Sequence, residues 1–310
     1  MNAGCLTTSS EQGFTVQELQ GRTATLSMVP ELGGRIIGLR SLKTGREWCW
    51  HQPRPDWLWA NNPGDSFGTS PQAGFDECVP TVAACEVKGR WIPDHGEVWA
   101  QDWPLDPAGL AVGELRATVP MLVSHFVFSR TIRLGEDGAF VFDYSLCNPG
   151  SEPEPYLWCL HPLLNLQVGD RLELPAEVRS LRLNGGLGAA MALGDRWDYP
   201  EPFPGVNLDH FEVPGMPGGC VKAFAGPLAK GFAAVVNDRS GDRFELTWNA
   251  ARIPFLGLWV NRGHDGFHHV ALEPACGAPD SLADAMEGWH QSCLLSPGET
   301  THWSLTLNIS

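Results

Sequence analysis

Short runs of alternating apolar and polar residues, separated by glycine- and proline-containing turns, recur along almost the entire chain. A period of two places every second side chain on the same face, which is the pattern of a half-buried β-strand. The clearest runs are RTATLSMV, FVFSRTIRL with AFVFDYSL, GFAAVVN with FELTWN, and THWSLTLNI. The 35 glycines and 25 prolines lie between such runs and do not collect in one linker. This punctuation favours a fold built from many short strands.

The turns between neighbouring runs indicate how the strands connect. Glycine-containing turns at residues 135–138, 238–242 and 296–299 are short enough for hairpins. Hairpins favour a large antiparallel sandwich over alternating βαβ units, whose crossovers need longer connections. One short helix is predicted near residues 281–287, with Asp280 as its N-terminal cap. We find neither an internal repeat nor a domain-splitting linker, and we predict a single all-β domain.

The charge of the chain limits its partners. Its 36 acidic and 21 basic residues give the 310-residue chain a formal net charge of -15. An acidic surface repels phosphate, so we do not expect a nucleic-acid-binding protein, although a small anion held by local arginines is compatible with this charge. No window holds the roughly 18–20 uninterrupted apolar residues of a transmembrane helix. Residues 1–13 also lack the features of a secretory signal, and we expect no membrane association.

The cysteines indicate the compartment. All nine are scattered and none belongs to a CxxC pair, so neither a zinc ribbon nor a dithiol redox motif is predicted. Unpaired thiols suit a reducing environment, and we therefore expect a cytoplasmic protein. His268 and His269 come nearest to a metal motif, but neighbouring residues of a strand point to opposite faces. No metal site is predicted.

Tryptophan is unusually frequent, with 13 residues against 3 tyrosines. Tryptophan side chains fill cores, and their flat amphipathic rings also pack against sugar rings. Trp99 and Trp259 lie in or beside segments that carry other polar groups. The excess is a first hint of carbohydrate binding.

Four segments combine ionisable groups with aromatics, prolines or glycines. In GFDECVP, the adjacent Asp76 and Glu77 either receive sugar hydroxyls or belong to a solvated turn. In PDHGEVW, His95 is either functional or half of a surface His–Glu pair. In WCLHPLLNL, His161 lies in an apolar run, where a buried imidazole is either a satisfied core residue or a catalytic one. In HHVALEP, Glu273 ends a strand, either as a tuned functional carboxylate or in a salt bridge.

In this order and spacing, the four segments resemble those of the galactose mutarotase-like (aldose 1-epimerase) family. Two further segments match the family, PELGGRI at residues 30–36 and LSPGE at residues 295–299. The resemblance covers a domain at residues 22–310, with residues 1–21 as an N-terminal lead-in. It implies a large twisted antiparallel β-sandwich, the galactose mutarotase-like supersandwich, with an open sugar cleft lined by aromatic side chains.

The resemblance also implies an activity. Family mutarotases interconvert the α and β anomers of a free sugar without a cofactor, because a base deprotonates the anomeric hydroxyl while an acid protonates the ring oxygen. By motif, Glu273 resembles the base and His161 the acid. His95 resembles a second histidine that hydrogen-bonds the sugar. The implied partner is a small-molecule sugar, a hexose or modified hexose, bound by a monomer or homodimer.

The chain departs from the family at several positions. The Asn-Arg-Ile segment that supplies a substrate arginine is absent, and Arg35 is either its substitute or part of a structural pair. Leu163 follows the His-Pro pair where the family has an aromatic residue. Asp198 is the candidate for the acidic residue that grips sugar hydroxyls from a middle loop. Trp259 is either an aromatic wall of the cleft or a core strand residue.

Two other functions remain open at this point. The sugar is anionic, such as a hexose 6-phosphate or sulfoquinovose, if arginines such as Arg35, Arg90 and Arg262 gather at the cleft edge. Alternatively, the domain is a non-catalytic carbohydrate-binding module on the same fold. Sugar binding without anomer exchange would distinguish that module from an enzyme.

Overall fold

A computed structural model of the chain describes residues 5–186, 191–202, 207–211 and 219–310. Its two α-helices within these ranges are α1 (Pro107–Ala111) and α2 (Leu282–Glu287), and short 3₁₀ helices lie at Pro30–Leu32, Phe67–Thr69 and His264–Gly266. The strands of the described residues are, in chain order, β1 (Cys5–Glu11), β2 (Phe14–Gln20), β3 (Ala24–Val29), β4 (Arg35–Ser41), β5 (Phe75–Cys78), β6 (Cys85–Val87), β7 (Arg90–Ile92), β8 (Leu115–Pro120), β9 (Val127–Leu134), β10 (Phe140–Cys147), β11 (Glu154–Tyr156), β12 (Cys159–Asn165), β13 (Asp170–Glu173), β14 (Ser180–Gly186), β15 (Arg196–Asp198), β16 (His210–Phe211), β17 (Cys220–Ala225), β18 (Gly231–Asn237), β19 (Arg243–Trp248), β20 (Phe255–Arg262), β21 (His268–Ala275), β22 (Cys293–Leu295) and β23 (Thr300–Ile309).

Two large antiparallel sheets contain most of these strands, which confirms the predicted all-β sandwich. Among the described residues, the larger sheet has eleven strands in the order β1-β2-β3-β4-β5-β12-β21-β20-β17-β14-β15. The smaller has eight, in the order β16-β13-β18-β19-β23-β10-β9-β8. The pairs β6-β7 and β11-β22 form two small additional sheets. Strands β1 and β2, within residues 1–21, extend the larger sheet at one edge.

The main core lies between the two large sheets. Alternation is clearest in β10, where Phe140, Phe142 and Tyr144 are buried and the residues between them are half-exposed. Phe75 of the larger sheet meets Phe244 of the smaller one edge to face, with ring centroids 6.0 Å apart. The period-two pattern of the sequence therefore corresponds to one face packed in this core and one face nearer solvent.

The central strands of the larger sheet are buried on both faces. Strands β12, β20 and β21 show nearly continuous burial instead of alternation. One face of these strands contributes to the core, and loops cover part of the other. Strand residues that face the loops rather than the core are therefore shielded from bulk water without being part of the inter-sheet packing.

The predicted turns and helix are found near their expected positions. The turn at residues 135–138 joins β9 to β10, and the turn at 238–242 joins β18 to β19. The turn at 296–299 leads β22 into β23, which belong to different sheets. The cap of α2 differs from the prediction, because the side chain of Ser281, not Asp280, accepts the hydrogen bond from the Asp284 N–H. No helix in the described ranges is long and apolar enough to cross a membrane.

Candidate active site

A cavity of about 590 Å³ opens on the loop-covered face of the larger sheet. The neighbouring strands β12, β21, β20 and β17 bring His161, Glu273, Trp259 and Lys222 to its wall, and His95 joins them from the loop after β7. Further polar side chains at the lining are Gln72, Asn184, Asn261, His264, Asp265, His269, Asp280, Ser281 and Asp284. The volume falls within the range of small-molecule sites, about 300–1,000 Å³.

Glu273 and His161 face each other across two paired strands. The Oε1 atom of Glu273 lies 3.8 Å from Nε2 of His161. Both residues are buried, with 0% and 7% of their surface exposed. Neither Oε1 of Glu273 nor Nδ1 of His161 has a hydrogen-bond partner among the described residues. Because buried polar atoms are nearly always hydrogen-bonded, these two atoms leave the pair able to form further hydrogen bonds.

Burial acts on the two groups in opposite directions. It raises the pKa of the Glu273 carboxyl, while the positive charge of Lys222 opposes this effect. It lowers the pKa of the His161 imidazole well below its usual value of 6.5, and neighbouring cationic groups act in the same direction. In both cases, loss of water disfavours the charged form. His161 is therefore mostly uncharged at neutral pH, whereas the mechanism implied by the family resemblance uses it as the proton donor.

His95 occupies a tight turn after β7. Its backbone lies in the left-handed region, with φ of 57°, beside a hydrogen bond from Gly96 N–H to the Pro93 carbonyl. Its Nδ1 is hydrogen-bonded to Oδ1 of Asp94 at 2.9 Å, which assigns the proton to Nδ1. Nε2 has no partner in the described part of the chain. The His95 and His161 rings are perpendicular, with centroids 5.0 Å apart.

Phe67 covers the two histidines from the loop between β4 and β5. Its ring stacks on His95 with centroids 4.0 Å apart and meets the edge of His161 at 5.2 Å. The Phe67 backbone N–H donates to Oδ2 of Asp94 at 2.9 Å. One carboxylate therefore holds both the covering loop and the histidine beneath it.

Lys222 introduces a buried cation into the cavity wall. Its Nζ forms an ion pair with Oε2 of Glu273 and lies 3.2 Å from Oδ1 of Asp280. Burial acts to lower the pKa of Lys222, but the two carboxylates raise it overall. Lys222 is therefore a charged ammonium group at all physiological pH values.

No protein-family model matches the chain, and no curated protein does so either. Solved structures do match. A galactose mutarotase-like protein from Clostridium acetobutylicum aligns with a TM-score of 0.70 and 12% identity, over 100% of this chain and 99% of its own. A galactose mutarotase-like protein from Lactobacillus casei aligns at 0.66 and 17%, over 99% and 100%. A protein from Escherichia coli, provisionally named an aldose 1-epimerase, aligns at 0.67 and 20%, over 96% and 99%.

The fold is that of the galactose mutarotase-like proteins. The alignments span both chains almost end to end, so the whole sandwich is shared and not one sheet alone. At identities of 12% to 20%, the likeness concerns the fold. The chemistry of this chain has to be argued from its own side chains.

Within the galactose mutarotase-like fold, four of the predicted site residues line the cavity together: His95, His161, Trp259 and Glu273. Trp259 is half-buried, and its Nε1 donates to Nε2 of His269 at 3.0 Å. Burial lowers the pKa of His269 to about 3, so this ring stays neutral and accepts that bond. The hydrogen bond fixes the orientation of the Trp259 ring at the cavity wall.

Arg35 and Asp76 do not line the cavity. Arg35 Nε donates to Asp76 Oδ1 at 2.7 Å, and both side chains are fully buried. A second guanidinium nitrogen donates to the Pro71 carbonyl of the covering loop at 2.8 Å. Asp76 pairs directly opposite His161 in the sheet, so this ion pair lies beside the catalytic candidate and not in contact with the cavity. The structural pairing weighed for Arg35 is the arrangement observed.

Glu77 points into the core on the opposite face of the sheet from Asp76. It accepts hydrogen bonds from Arg130 at 3.1 Å, Tyr144 at 2.9 Å and Trp158 at 2.9 Å. Neighbouring strand residues alternate between faces, so adjacent carboxylates could not both reach a sugar. The structure gives Glu77 a packing role in place of the sugar-binding role considered from the sequence.

The remaining candidates also lie away from the cavity lining. Asp198 is exposed on the edge strand β15. Trp99 is only 1% exposed and donates its Nε1 hydrogen to the Asp94 carbonyl, so it supports the His95 turn.

The other candidate arginines are paired elsewhere. Arg90, on the short strand β7, pairs with Glu154 at 2.5 Å. Arg262 donates to the Asn207 carbonyl. Arg35, Arg90 and Arg262 therefore do not gather at the cavity.

Lys222 and Phe67 belong to the site although no sequence motif selects them, and Asp280 belongs to it although the sequence pattern assigns it only a helix-capping role. Lys222 carries a recognisable signal, since a lysine inside the apolar run CVKAFA has to be paired if the strand is buried. Phe67 carries none, because its position depends on the path of a polar, glycine-rich loop. Among the described residues, no three His, Cys, Asp or Glu side chains converge as ligands of a metal ion would.

Proposed function

We propose that the protein is an aldose 1-epimerase that acts on an uncharged hexose or modified hexose. The observation that carries this proposal is the pair formed by Glu273 Oε1 and His161 Nε2, 3.8 Å apart at the wall of a cavity of about 590 Å³. The anomeric hydroxyl and the ring oxygen are bonded to the same carbon. A base and an acid a few ångströms apart can therefore reach both atoms at once.

The reaction needs only these two groups to move protons. Glu273 accepts the proton of the anomeric hydroxyl as the bond between C1 and the ring oxygen breaks, and the bonding electrons pass to the ring oxygen. His161 gives that oxygen a proton, which yields the open-chain aldehyde. After rotation about the C1–C2 bond, the same transfers run in reverse and close the ring as either anomer. Both side chains return to their starting protonation states.

The protonated form of His161 is the minor form in the empty cavity at neutral pH. Its burial lowers the pKa, as described above, so the reactive pair of ionised Glu273 and protonated His161 is formed at a cost. A sugar hydroxyl beside the pair offsets part of that cost by hydrogen bonding. His95 contributes through Nε2, because Asp94 already engages its Nδ1.

The charges around the cavity support an uncharged substrate. Four carboxylates line it, on Asp265, Glu273, Asp280 and Asp284, whereas Lys222 is already paired with two of them. A phosphate or sulfonate group would meet this acidic lining without a free arginine. This observation argues against the anionic-sugar alternative and does not affect the proposed proton transfers.

Carbohydrate recognition has two further supports. Buried polar atoms without partners in the described residues include Nε2 of His95 and Nδ1 of His269, both on lining residues, which suits a ligand with several hydroxyls. The half-exposed Trp259 supplies an indole face for an apolar sugar face. We also propose that the protein works without a cofactor as a monomer or homodimer in the cytoplasm, where its nine free thiols stay reduced.

The test is an assay of anomer exchange over a panel of neutral, phosphorylated and sulfonated hexoses, with calorimetric binding measured in parallel. The proposal expects faster exchange of at least one neutral sugar and a loss of about 100-fold or more in His161→Asn. Binding of a sugar without exchange would identify a non-catalytic module instead. Acceleration confined to the anionic sugars would contradict the assignment of an uncharged substrate.

A further inference from the structure

Lys222 is a buried cation in the cavity wall to which the proposed proton transfers assign no task. Only 7% of the residue is exposed, and its Nζ reaches the carboxylates of Glu273 and Asp280. A buried charge without a partner is costly, and a single lysine between two carboxylates is an arrangement that a plain apolar strand does not need. Its contact with the candidate base suggests a role in setting the charge of that base.

The sheet is built to allow this contact. Lys222 pairs with Trp259 across β17 and β20, and Glu273 pairs with Gly257 across β20 and β21. Lys222 and Glu273 thus lie diagonally on either side of Gly257, within reach of a long side chain. A Cβ atom at position 257 would lie 3.0 Å from Oε2 of Glu273. The absence of a side chain at Gly257 leaves the space in which the ion pair forms.

The ion pair makes the two carboxylate oxygens of Glu273 unequal. Oε2 receives the ammonium group of Lys222 and the thiol of Cys159, whose Sγ lies 3.7 Å away. Oε1 has no hydrogen-bond partner among the described residues and is directed at His161. We propose that Lys222 is a positioning residue that keeps Glu273 ionised at neutral pH and occupies Oε2, so that Oε1 is left to accept a proton. This inference rests on the proposed function for its catalytic meaning.

The charges around Glu273 determine the direction in which each substitution should change its pKa. Lys222 favours the ionised carboxylate, and Asp280 disfavours it because it carries a like charge. Strand β20 presents only Gly257 opposite the carboxylate. The titratable groups that face Glu273 from the elements around it are Lys222 from β17, Asp280 from the loop before α2, His95 from the loop after β7, His161 and Cys159 from β12, and Cys78 from β5. Removal of Lys222 should therefore make Glu273 protonate at higher pH, and removal of the Asp280 charge should have the opposite effect.

The experiment is a carbon-13 NMR titration of the full chain labelled at glutamate carboxyls, with the Glu273 signal assigned by its loss in Glu273→Gln. Lys222→Met should raise the titration midpoint of Glu273 by about 1–3 pH units. Lys222→Arg, which keeps the charge, should restore most of the wild-type midpoint. Asp280→Asn should lower the midpoint. If near-UV circular dichroism shows that Lys222→Met does not fold, Lys222→Gln, which keeps a donor but not the charge, takes its place with the same expectation.

An unchanged midpoint in the uncharged variant would overturn the proposal, because it would show that the charge of Lys222 does not control the ionisation of Glu273. The acid limb of the pH profile for anomer exchange should move by the same amount as the NMR midpoint. If the wild type accelerates exchange of no sugar, the proposed function fails. The NMR titration still decides whether Lys222 controls the charge of Glu273, so the two failures are distinguishable.

Discussion

At the scale of single residues, the same loss of water raises the proton affinity of Glu273 and lowers that of His161. Glu273 is fully buried beside Lys222, and His161 is almost fully buried beside other cationic groups. Acid–base catalysis needs the carboxylate without its proton and the imidazole with one. The site therefore has its productive protonation state over a limited range of pH.

The pH dependence of kcat/KM for anomer exchange should be bell-shaped, with its optimum on the acid side of neutrality. As pH rises through the lowered pKa of His161, the acid loses its proton and the rate falls. As pH falls through the raised pKa of Glu273, the base gains a proton and the rate falls again. The check is exchange measured from about pH 4.5 to about pH 8.5, corrected for spontaneous exchange at each pH. A rate that climbs steadily from about pH 6 to about pH 8 would contradict this protonation scheme.

Sequence patterns could locate polar residues with unusual contexts, but not the face of the sheet on which each one lies. His161 and Glu273 stand out because each is an ionisable residue in an apolar run, and both line the cavity. Asp76 and Glu77 stand out equally, yet one is paired with Arg35 and the other lies in the core. The register between strands decides these outcomes, and no short motif contains that information.

At the scale of structural elements, the loop between β4 and β5 is tied to the site through Asp94. This carboxylate accepts from the Phe67 backbone at 2.9 Å and contacts His95 Nδ1 at 2.9 Å. Burial acts to raise the pKa of Asp94, but the hydrogen bond with His95 contributes to lowering it overall. The position of the covering loop and the orientation of the imidazole therefore depend on the same charge.

Asp94→Asn should reduce kcat/KM by about 10-fold or more, because an amide can donate to His95 Nδ1 and favour the other tautomer. The loss should occur without unfolding, which circular dichroism can verify. The matched control is Asp56→Asn in the loop between β4 and β5, where the carboxylate is exposed and paired with Arg54. Equal activities of the two variants would argue against a role for Asp94 in orienting the histidine.

On strand β20, Gly257 contributes to the site because it has no side chain. Gly257→Ala places a Cβ 3.0 Å from Oε2 of Glu273 and 3.2 Å from Phe224. We expect the displaced carboxylate to reduce anomer exchange by about 10- to 100-fold, because small misplacements of a catalytic group are costly. Gly38→Ala is a matched control on β4, where the nearest atom is Ser27 Cβ at 3.3 Å. A Gly257→Ala variant as active as this control would show that the carboxylate has room to move.

Strands could be predicted well from the sequence where two consecutive strands form a hairpin. Strands β9 and β10, joined by the turn at residues 135–138, follow directly from alternation and turn chemistry. The N-terminal cap of α2 is Ser281, one residue after the predicted Asp280. The Asp280 side chain instead contacts Lys222 and Asn184, which are distant in sequence. A long-range ion pair overrides a local capping preference in this case.

At the scale of the whole molecule, the two large sheets are joined by a polar bridge inside the apolar core. Arg130 of β9 donates to Glu77 of β5 at 3.1 Å and to the Gly34 carbonyl. The exposed fractions of the two ionic side chains are 1% and 0%. Tyr144 and Trp158 complete the shell of donors around Glu77. The bridge fixes one sheet against the other directly behind the candidate active site.

Arg130→Met should lower the free energy of unfolding by about 3–5 kcal/mol, because it leaves the Glu77 carboxylate buried without its cation. Arg133→Met on the same strand is the matched control. Its ion pair with Asp143 is about 40% exposed, and its removal should cost no more than about 1 kcal/mol. Urea denaturation measures both values. A similar cost for the two variants would mean that the buried bridge contributes no more than a surface pair.

The class of the whole fold was accessible from the sequence because alternation and turns repeat along the chain. The strand order was not, since β5, β12 and β21 are neighbours in space although about 80 to 100 residues separate each from the next in sequence. It is this non-local order that brings His161 and Glu273 together. The family resemblance pairs the two residues as acid and base, and the geometry of the sheet gives this pairing a physical basis.

We propose that Glu273 acts as the base in anomer exchange. Saturation transfer between the α and β anomeric protons of neutral hexoses, recorded by proton NMR with wild type and Glu273→Gln, tests it most directly. We predict faster transfer with the wild type and a rate lower by about 100-fold or more with the variant, which keeps the shape of the side chain but cannot accept the proton. No acceleration of any neutral hexose by the wild type, or equal acceleration by the variant, would contradict the claim.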